Sequence, residues 1–255
     1  MFFNLQKKKI DLFTDYLFTH NSSIAKLYAK YIKSRTIVAG STRSNSIKIN
    51  KKKIYNIGYI STYRDINPET QFYKNYFYQD SINSELKLLN HLKRYCKENN
   101  CKLSIIGSPQ NIEESKKEKK FYFNIFGENF LYFENNVNRK TYSLIDKFKV
   151  MCGIDSTLLY ESFGRGNKTV FFSYRKMTYP FNSRKFGWPA KLKPNDKFWT
   201  SNQDYKSFKK VLDFTIKCKN SQWKKYYNKY YDRIMVFDNK NEKLATTIKK
   251  LLKEN

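Results

Sequence analysis

The chain has 255 residues and a mass of 30.7 kDa, with 50 Lys and Arg against 22 Asp and Glu and a formal net charge of +28. That length provides one large domain or two small ones, with ample material for a buried core. The charge points first to an anionic partner. However, the chain has 8 Gly and 5 Pro where average usage gives roughly 18 and roughly 13; residues with AT-rich codons dominate, and most lysines read as a solvated face.

Four cysteines, Cys96, Cys101, Cys152 and Cys218, form no CxxC pair, and His20 and His91 are too few to complete a zinc ligand set. Reduced thiols and no metal are expected. No apolar run approaches the roughly 18 residues of a membrane span. The start MFFNLQKKK lacks an apolar core followed by a small-residue cleavage site. The expected location is the cytoplasm, with the positive face available for peripheral contact at an anionic membrane.

The first fifty residues read as the tail end of an α/β unit: strand DYLFTHN, helix SSIAKLYAKYI capped by Ser22 or Ser23, strand RTIVAGS. One such unit cannot make a domain, and residues 33–53 form the best linker candidate. From about residue 54, short apolar runs alternate with helical periodicity, the pattern of a parallel sheet covered by helices on both faces. The expected strands are 53–61, 101–109, 129–134, 150–155 and 168–173, with 197–201 adding a last one. Between them lie a helix carrying Ile82, Leu86, Leu89, Leu92 and Cys96, a charged helix over EESKKEKKFYFNIF, and a short helix over 141–149 carrying Tyr142, Ile145 and Phe148. Residues 175–196 hold three of the five prolines and read as a long loop, a kind that tends to be functional or mobile. Three amphipathic helices close the chain, marked by Tyr205, Phe208, Val211 and Leu212, then by Trp223, Tyr226, Tyr227 and Tyr230, then by Leu244, Ile248 and Leu251. Their aromatic stripes read as core. The expected division is 1–50 as a remnant of an N-terminal α/β unit with its linker, 51–235 as a Rossmann-like domain, and 236–255 as a C-terminal helix.

The stretch GIDSTLLYESFGRG, Gly153 to Gly166, sits between two apolar runs, where a strand would hand over to a helix. Free amides at such a helix start face whatever lies above the sheet edge, which is where α/β proteins hold phosphate. Asp155 or Ser156 could cap the helix, which accounts for one polar residue but not for Glu161 one turn on. There a carboxylate could accept hydrogen bonds from ribose hydroxyls. Gly164 and Gly166 suit close backbone approach and a helix stop.

IDSTLLYESFGRGNKTVFFS resembles the signature of the nucleotide-sugar domain of GT-B glycosyltransferases. More narrowly, it is similar to the DSTLGYEALARGKKVAFF pattern of bacterial surface carbohydrate biosynthesis proteins, a group that looks like transferases for lipopolysaccharide or capsular sugars. IGYISTYRD and VAGSTRSN extend the resemblance less strongly, over roughly residues 15–235. It implies that Glu161 binds the donor ribose, that Ser156 and Thr157 bind the diphosphate, and that Arg64 contacts phosphate oxygens, with Arg165 and Arg175 as further candidates. It implies transfer to a glycan or lipid-linked acceptor without a held metal or a cofactor, the nucleotide-sugar being the donor substrate. The acceptor-side unit is short here, so the chain is expected to be a truncated product, a degenerate member or one half of a two-chain enzyme, inactive alone. His20, at the end of a predicted strand, is the one local imidazole base; Asp15 is the weaker alternative.

Two competing readings remain. A basic nucleic-acid-binding protein is suggested by the charge and by QFYKNYFYQD and WKKYYNKYYDR, but neither stretch matches a binding signature and the aromatics fall at helical spacing. A sugar-nucleotide epimerase of similar shape would need catalytic carboxylates and histidines that are lacking.

Overall fold

A computed structural model describes residues 12–50, 52–63, 76–108, 111–135, 140–177 and 185–254. Strands β1 (Leu12–Thr19) and β2 (Ile32–Val38) pair in parallel around helix α1 (Ser22–Tyr28), and a single turn, α2 (Thr42–Asn45), follows. The cap of α1 is Asn21, whose side-chain Oδ1 accepts from the Ile24 amide at 2.9 Å, rather than either expected serine. Half of the expected linker is therefore structured, and its α2 turn is capped by Ser41.

The remaining strands are β3 (Tyr55–Ile60), β4 (Leu103–Ile106), β5 (Phe130–Phe133), β6 (Phe148–Gly153), β7 (Thr169–Phe172) and β8 (Trp199–Thr200). They form one sheet in the order β5-β4-β3-β6-β7-β8, with every pairing parallel. This is the doubly wound order, in which the chain reverses direction across the sheet between β3 and β6. The helices are α3 (Tyr76–Glu98), α4 (Ile112–Phe126), α5 (Lys140–Ile145), α6 (Thr157–Gly164), α7 (Tyr205–Lys217), α8 (Asn220–Ile234) and α9 (Glu242–Glu254).

Strand periodicity sorts the core onto two faces. Ile57, Tyr59, Leu103, Ile105, Val150, Cys152, Val170 and Phe172 pack with Leu88, Leu92, Tyr122, Phe208 and Leu212 of α3, α4 and α7. Ile60, Ile106, Phe148, Met151 and Phe171 pack on the other face with Tyr142, Leu159, Phe163, Trp223 and Tyr230 of α5, α6 and α8. The aromatic stripe of α8 is thus core, as its spacing indicated. Phe148, expected on a helix, opens β6 instead. Tyr142, Ile145 and Phe148 fall in one cluster whichever element holds Phe148, so their spacing alone could not separate helix from strand.

The two-stranded unit is tied back by the end of the chain. After α8, the Val236 amide donates to the His20 carbonyl at 3.0 Å, Gly40 bridges Phe237, and the Asp238 amide donates to the Asn45 side chain at 3.0 Å. Gly40 has φ +75, and a Cβ there would overlap the Val236 carbonyl oxygen, so this crossing requires glycine.

Candidate functional site

At the reversal point the loops after β3, β6 and β7 meet. Arg175, just beyond β7, donates to Asp155 after β6 at 2.7 Å and to the Thr62 hydroxyl after β3 at 3.2 Å. Thr62 is held from behind by buried Glu85 of α3, which accepts from the Thr62 amide at 3.3 Å and hydroxyl at 3.0 Å, and from the Tyr59 hydroxyl at 2.6 Å. Burial, with Glu85 alongside, pushes the Tyr59 phenol well up, so it stays a hydrogen-bond donor. Glu118 of α4 supports the neighbouring strand end in the same way: it accepts from the Ser108 amide at 3.1 Å and the Tyr132 hydroxyl at 2.8 Å, and burial raises its carboxyl. The periodicity gave no sign of these two buried carboxylates, which sit on otherwise ordinary helices.

Over this junction opens a cleft of about 340 Å³, bounded by His20 and Asn21 of the two-stranded unit on one side and by Asp155, Thr157, Arg175 and Trp188 on the other. The start of α6 points into it. Ser156 occupies the cap position, yet its side chain makes no capping bond, and Asp155 is paired with Arg175. The amides of Ser156, Thr157 and Leu158 have no partner among the described residues; the helix hydrogen bonding to the Ser156 carbonyl begins with Leu159. The positive end of a helix dipole therefore meets the cleft at Thr157, close to the Arg175 guanidinium that pairs with Asp155. Thr157 is exposed and Ser156 partly so. His20 is also exposed, and its Nδ1 lies 3.2 Å from the Gly40 carbonyl. A carbonyl only accepts, so Nδ1 is the donor in this contact, and in the neutral ring that tautomer puts the lone pair on Nε2.

Two expected site residues, Arg165 and Glu161, lie elsewhere. Arg165 is a correction: it is buried, and all of its N–H groups are engaged, by Asp146 at 2.6 and 3.0 Å and by the carbonyls of Ser44, Ile47 and Lys48 at 2.8 to 3.3 Å. It clamps the segment after α2 to the main sheet and has no donor left for a phosphate. Glu161 is 6% exposed and does not line the cleft; its Oε1 accepts from the Ser41 hydroxyl and from the Tyr142 hydroxyl at 3.1 Å. Burial raises its carboxyl, against the pull of those two hydrogen bonds and of nearby His20 and Arg43. Arg64 lies outside the described residues. Asp15 is exposed on β1 and does not line the cleft. Among the described residues no cluster of three or more His, Cys, Asp or Glu could hold a metal, and no helix is long and apolar enough to cross a membrane.

A protein-family model described as "putative O-antigen biosynthesis protein" matches residues 1–252. No curated protein sequence matches the chain. Among solved structures, the chain resembles the UDP-GlcNAc 2-epimerase of Methanocaldococcus jannaschii in complex with UDP-GlcNAc and UDP, with a TM-score of 0.53 and 10% identity over 93% of this chain and 61% of that one. It also resembles the GtfA/B complex, with a TM-score of 0.52 and 12% identity over 100% of this chain and 47% of that one. A variant of the wall teichoic acid polymerase TagF gives a TM-score of 0.50 and 14% identity over 94% of this chain and 58% of that one. At these identities the likeness is one of fold, the GT-B type, and the chain spans less than two thirds of each of these structures.

Proposed function

The chain belongs to that O-antigen biosynthesis family, and on this premise we propose that it binds a nucleotide-activated sugar and transfers the glycosyl group to a glycan or lipid-linked acceptor. The observation that carries the proposal is the uncapped start of α6, whose first amides have no partner among the described residues and whose Thr157 lines the cleft at the reversal point of a doubly wound sheet. Its Ser156 and Thr157 groups would hold the diphosphate, with Arg175 offsetting its charge. We propose residues 51–235 as the donor-binding domain, residues 1–50 as the acceptor-side unit, and 236–255 as the helix that joins them. Arg64 is kept as a proposed phosphate contact.

In the transfer, the acceptor hydroxyl oxygen bonds to the anomeric carbon while the bond from that carbon to the diphosphate oxygen breaks. The hydroxyl proton passes to His20 Nε2, which the Gly40 contact leaves able to accept it. The departing nucleoside diphosphate keeps the electron pair, and its charge is stabilised by amides already in place. Glu161 remains the proposed ribose contact, through the carboxylate whose Oε1 accepts from Ser41 and Tyr142. Docking on anionic lipid through the basic, partly apolar surface of α9 would bring a lipid-linked acceptor to the cleft.

The test is calorimetric titration with UDP, CDP and GDP and the corresponding monophosphates, on the natural protein and on Thr157→Pro. Proline is accommodated at the first position of a helix, and Ser156, at φ −68 and ψ 137, already has the backbone that a following proline needs. The substitution therefore deletes the Thr157 amide together with its hydroxyl, both assigned to the diphosphate, and keeps the helix start formed. Saturable binding of at least one diphosphate, weakened about tenfold by Thr157→Pro, is expected; equal affinity in the two proteins would remove the helix start from the site.

A further inference from the structure

We infer that Trp188 is a stacking platform for a pyranose ring at the cleft; this rests on the nucleotide-sugar reading and adds to it the residue that meets the sugar. The chain has three tryptophans. Trp199 and Trp223 are buried, and their indole N–H groups donate to the carbonyls of Lys193 and Gly166, both at 2.9 Å. Trp188 is 40% exposed, lines the cleft, and its indole N–H has no partner among the described residues.

Trp188 sits on a short segment that is firmly anchored. Phe186 is buried against Phe171, Trp199 and Tyr160, with ring centroids 4.4, 5.0 and 5.8 Å away. The Phe186 amide donates to the Ser173 hydroxyl and the Gly187 amide to the Tyr160 hydroxyl, each at 3.2 Å. Tight turns follow, with the Trp188 amide on the Lys185 carbonyl at 3.1 Å and the Ala190 amide on that of Gly187 at 2.8 Å. Gly187 has φ +72, and a Cβ there would meet Leu192 at 2.5 Å. A segment whose neighbours are packed to this degree presents its largest apolar side chain to the cleft instead of the core.

The surroundings select the ligand chemistry. The same cleft is lined by Lys185, His20 and Thr157. An apolar ring face with polar groups around its rim fits a molecule built the same way, and a pyranose has C–H groups on its face and hydroxyls at its edge. The ring could be the donor's glycosyl group or the terminal sugar of the acceptor, and the chemistry is shared.

Because the other two tryptophans are buried, ligand-dependent emission reports chiefly on Trp188. The experiment titrates the natural protein, Trp188→Ala and Trp188→Phe with UDP and GDP, with UDP-glucose, UDP-GlcNAc and GDP-mannose, and with hexose oligosaccharides lacking a nucleotide. Affinities come from calorimetry, and emission is followed in parallel for the natural protein. A thermal melt confirms that each variant is folded. If the donor sugar stacks, Trp188→Ala weakens a nucleotide-hexose about tenfold, leaves the nucleoside diphosphate within about twofold, and Trp188→Phe restores most of the loss. If the acceptor sugar stacks, the donor affinities stay level and the oligosaccharide is the ligand lost. Equal weakening of diphosphate and nucleotide-hexose, or no change for any sugar, overturns the inference. Absence of diphosphate binding in the natural protein instead defeats the nucleotide-sugar reading on which it stands.

Discussion

Arg165 and Asp146 form a two-pronged ion pair with no side-chain surface left to water, at 2.6 and 3.0 Å, and through it the segment after α2 is fastened to the sheet. Asn167 adds a further hydrogen bond to Asp146 at 2.8 Å. Removing one member leaves a buried charge without its partner, which costs about 3 to 5 kcal/mol. Asp146→Asn is therefore expected to lower the unfolding free energy by that amount in a urea titration. Nucleotide affinity should be unchanged at temperatures where the variant is folded. An Arg165→Lys variant should lose nearly as much, since one ammonium cannot replace a five-donor fork.

Arg175 bridges two loops, and Glu85 fixes one of them. Arg175→Lys keeps the charge but cannot span Asp155 and Thr62 together, so diphosphate affinity should fall by about 1 kcal/mol or more. Glu85→Gln turns a pure acceptor into a group with a donor face and should loosen Thr62. The two changes act on one chain of contacts, so the double variant should lose less than the sum of the single losses. Strictly additive losses would show that Glu85 does not position Arg175.

Glu161 gives a pH dependence of definite sign. Burial raises its carboxyl in the folded state, so between the ordinary carboxylate value and the raised one the folded protein binds more protons than the unfolded chain. Stability from this residue falls as pH rises through that window. Glu161→Gln is neutral throughout and can still accept from Ser41 and Tyr142. Its melting temperature relative to the natural protein should increase as pH rises from the ordinary carboxylate range through the raised one. The same variant measures the ribose question: affinity for the diphosphate within about twofold assigns the carboxylate to the Ser41 and Tyr142 contact, and a loss of tenfold or more returns it to the nucleotide.

Helix α9 exposes Ile248 at 45% and Leu252 at 74%, with Lys249, Lys250 and Lys253 alongside. Near anionic lipid each lysine contributes about 1 kcal/mol. Sedimentation with phosphatidylglycerol vesicles should carry the protein down at low salt, and neutral phosphatidylcholine vesicles should not. Leu252→Glu should weaken the association. Equal binding to both lipid types would rule out this electrostatic docking.

The sheet was legible because strands covered on both faces read as continuous apolar runs, such as KTVFFS, and all six expected strands are present within a few residues. Boundaries were less so: Phe148 could not be assigned to helix or strand by spacing, and Asn21 took the cap from the serines that follow it. Within the site, the helix start at Ser156 was readable because it depends on a local run of chain. The surroundings of Arg165 and Glu161 were not readable because their partners are distant in sequence. Asp146 lies 19 residues before Arg165 and two elements away, and Ser41 lies 120 residues before Glu161. Trp188 carries no periodic signal inside a proline-containing loop, although a tryptophan flanked by Gly187 and Pro189 was the available sign.

The tie between the two units also sets a timetable. Asn21 is bonded to the Ile234 carbonyl, 213 residues later, and Asn45 to Asp238, 193 residues later. During synthesis the first strands emerge early, yet they gain these anchors only when the stretch around residues 234–238 has left the ribosome. Contacts of such long range form late and slowly. The wall of the cleft that carries His20 is thus the last to be secured, and a ribosome stalled before that stretch would release a sheet with its helix start in place but no opposing wall.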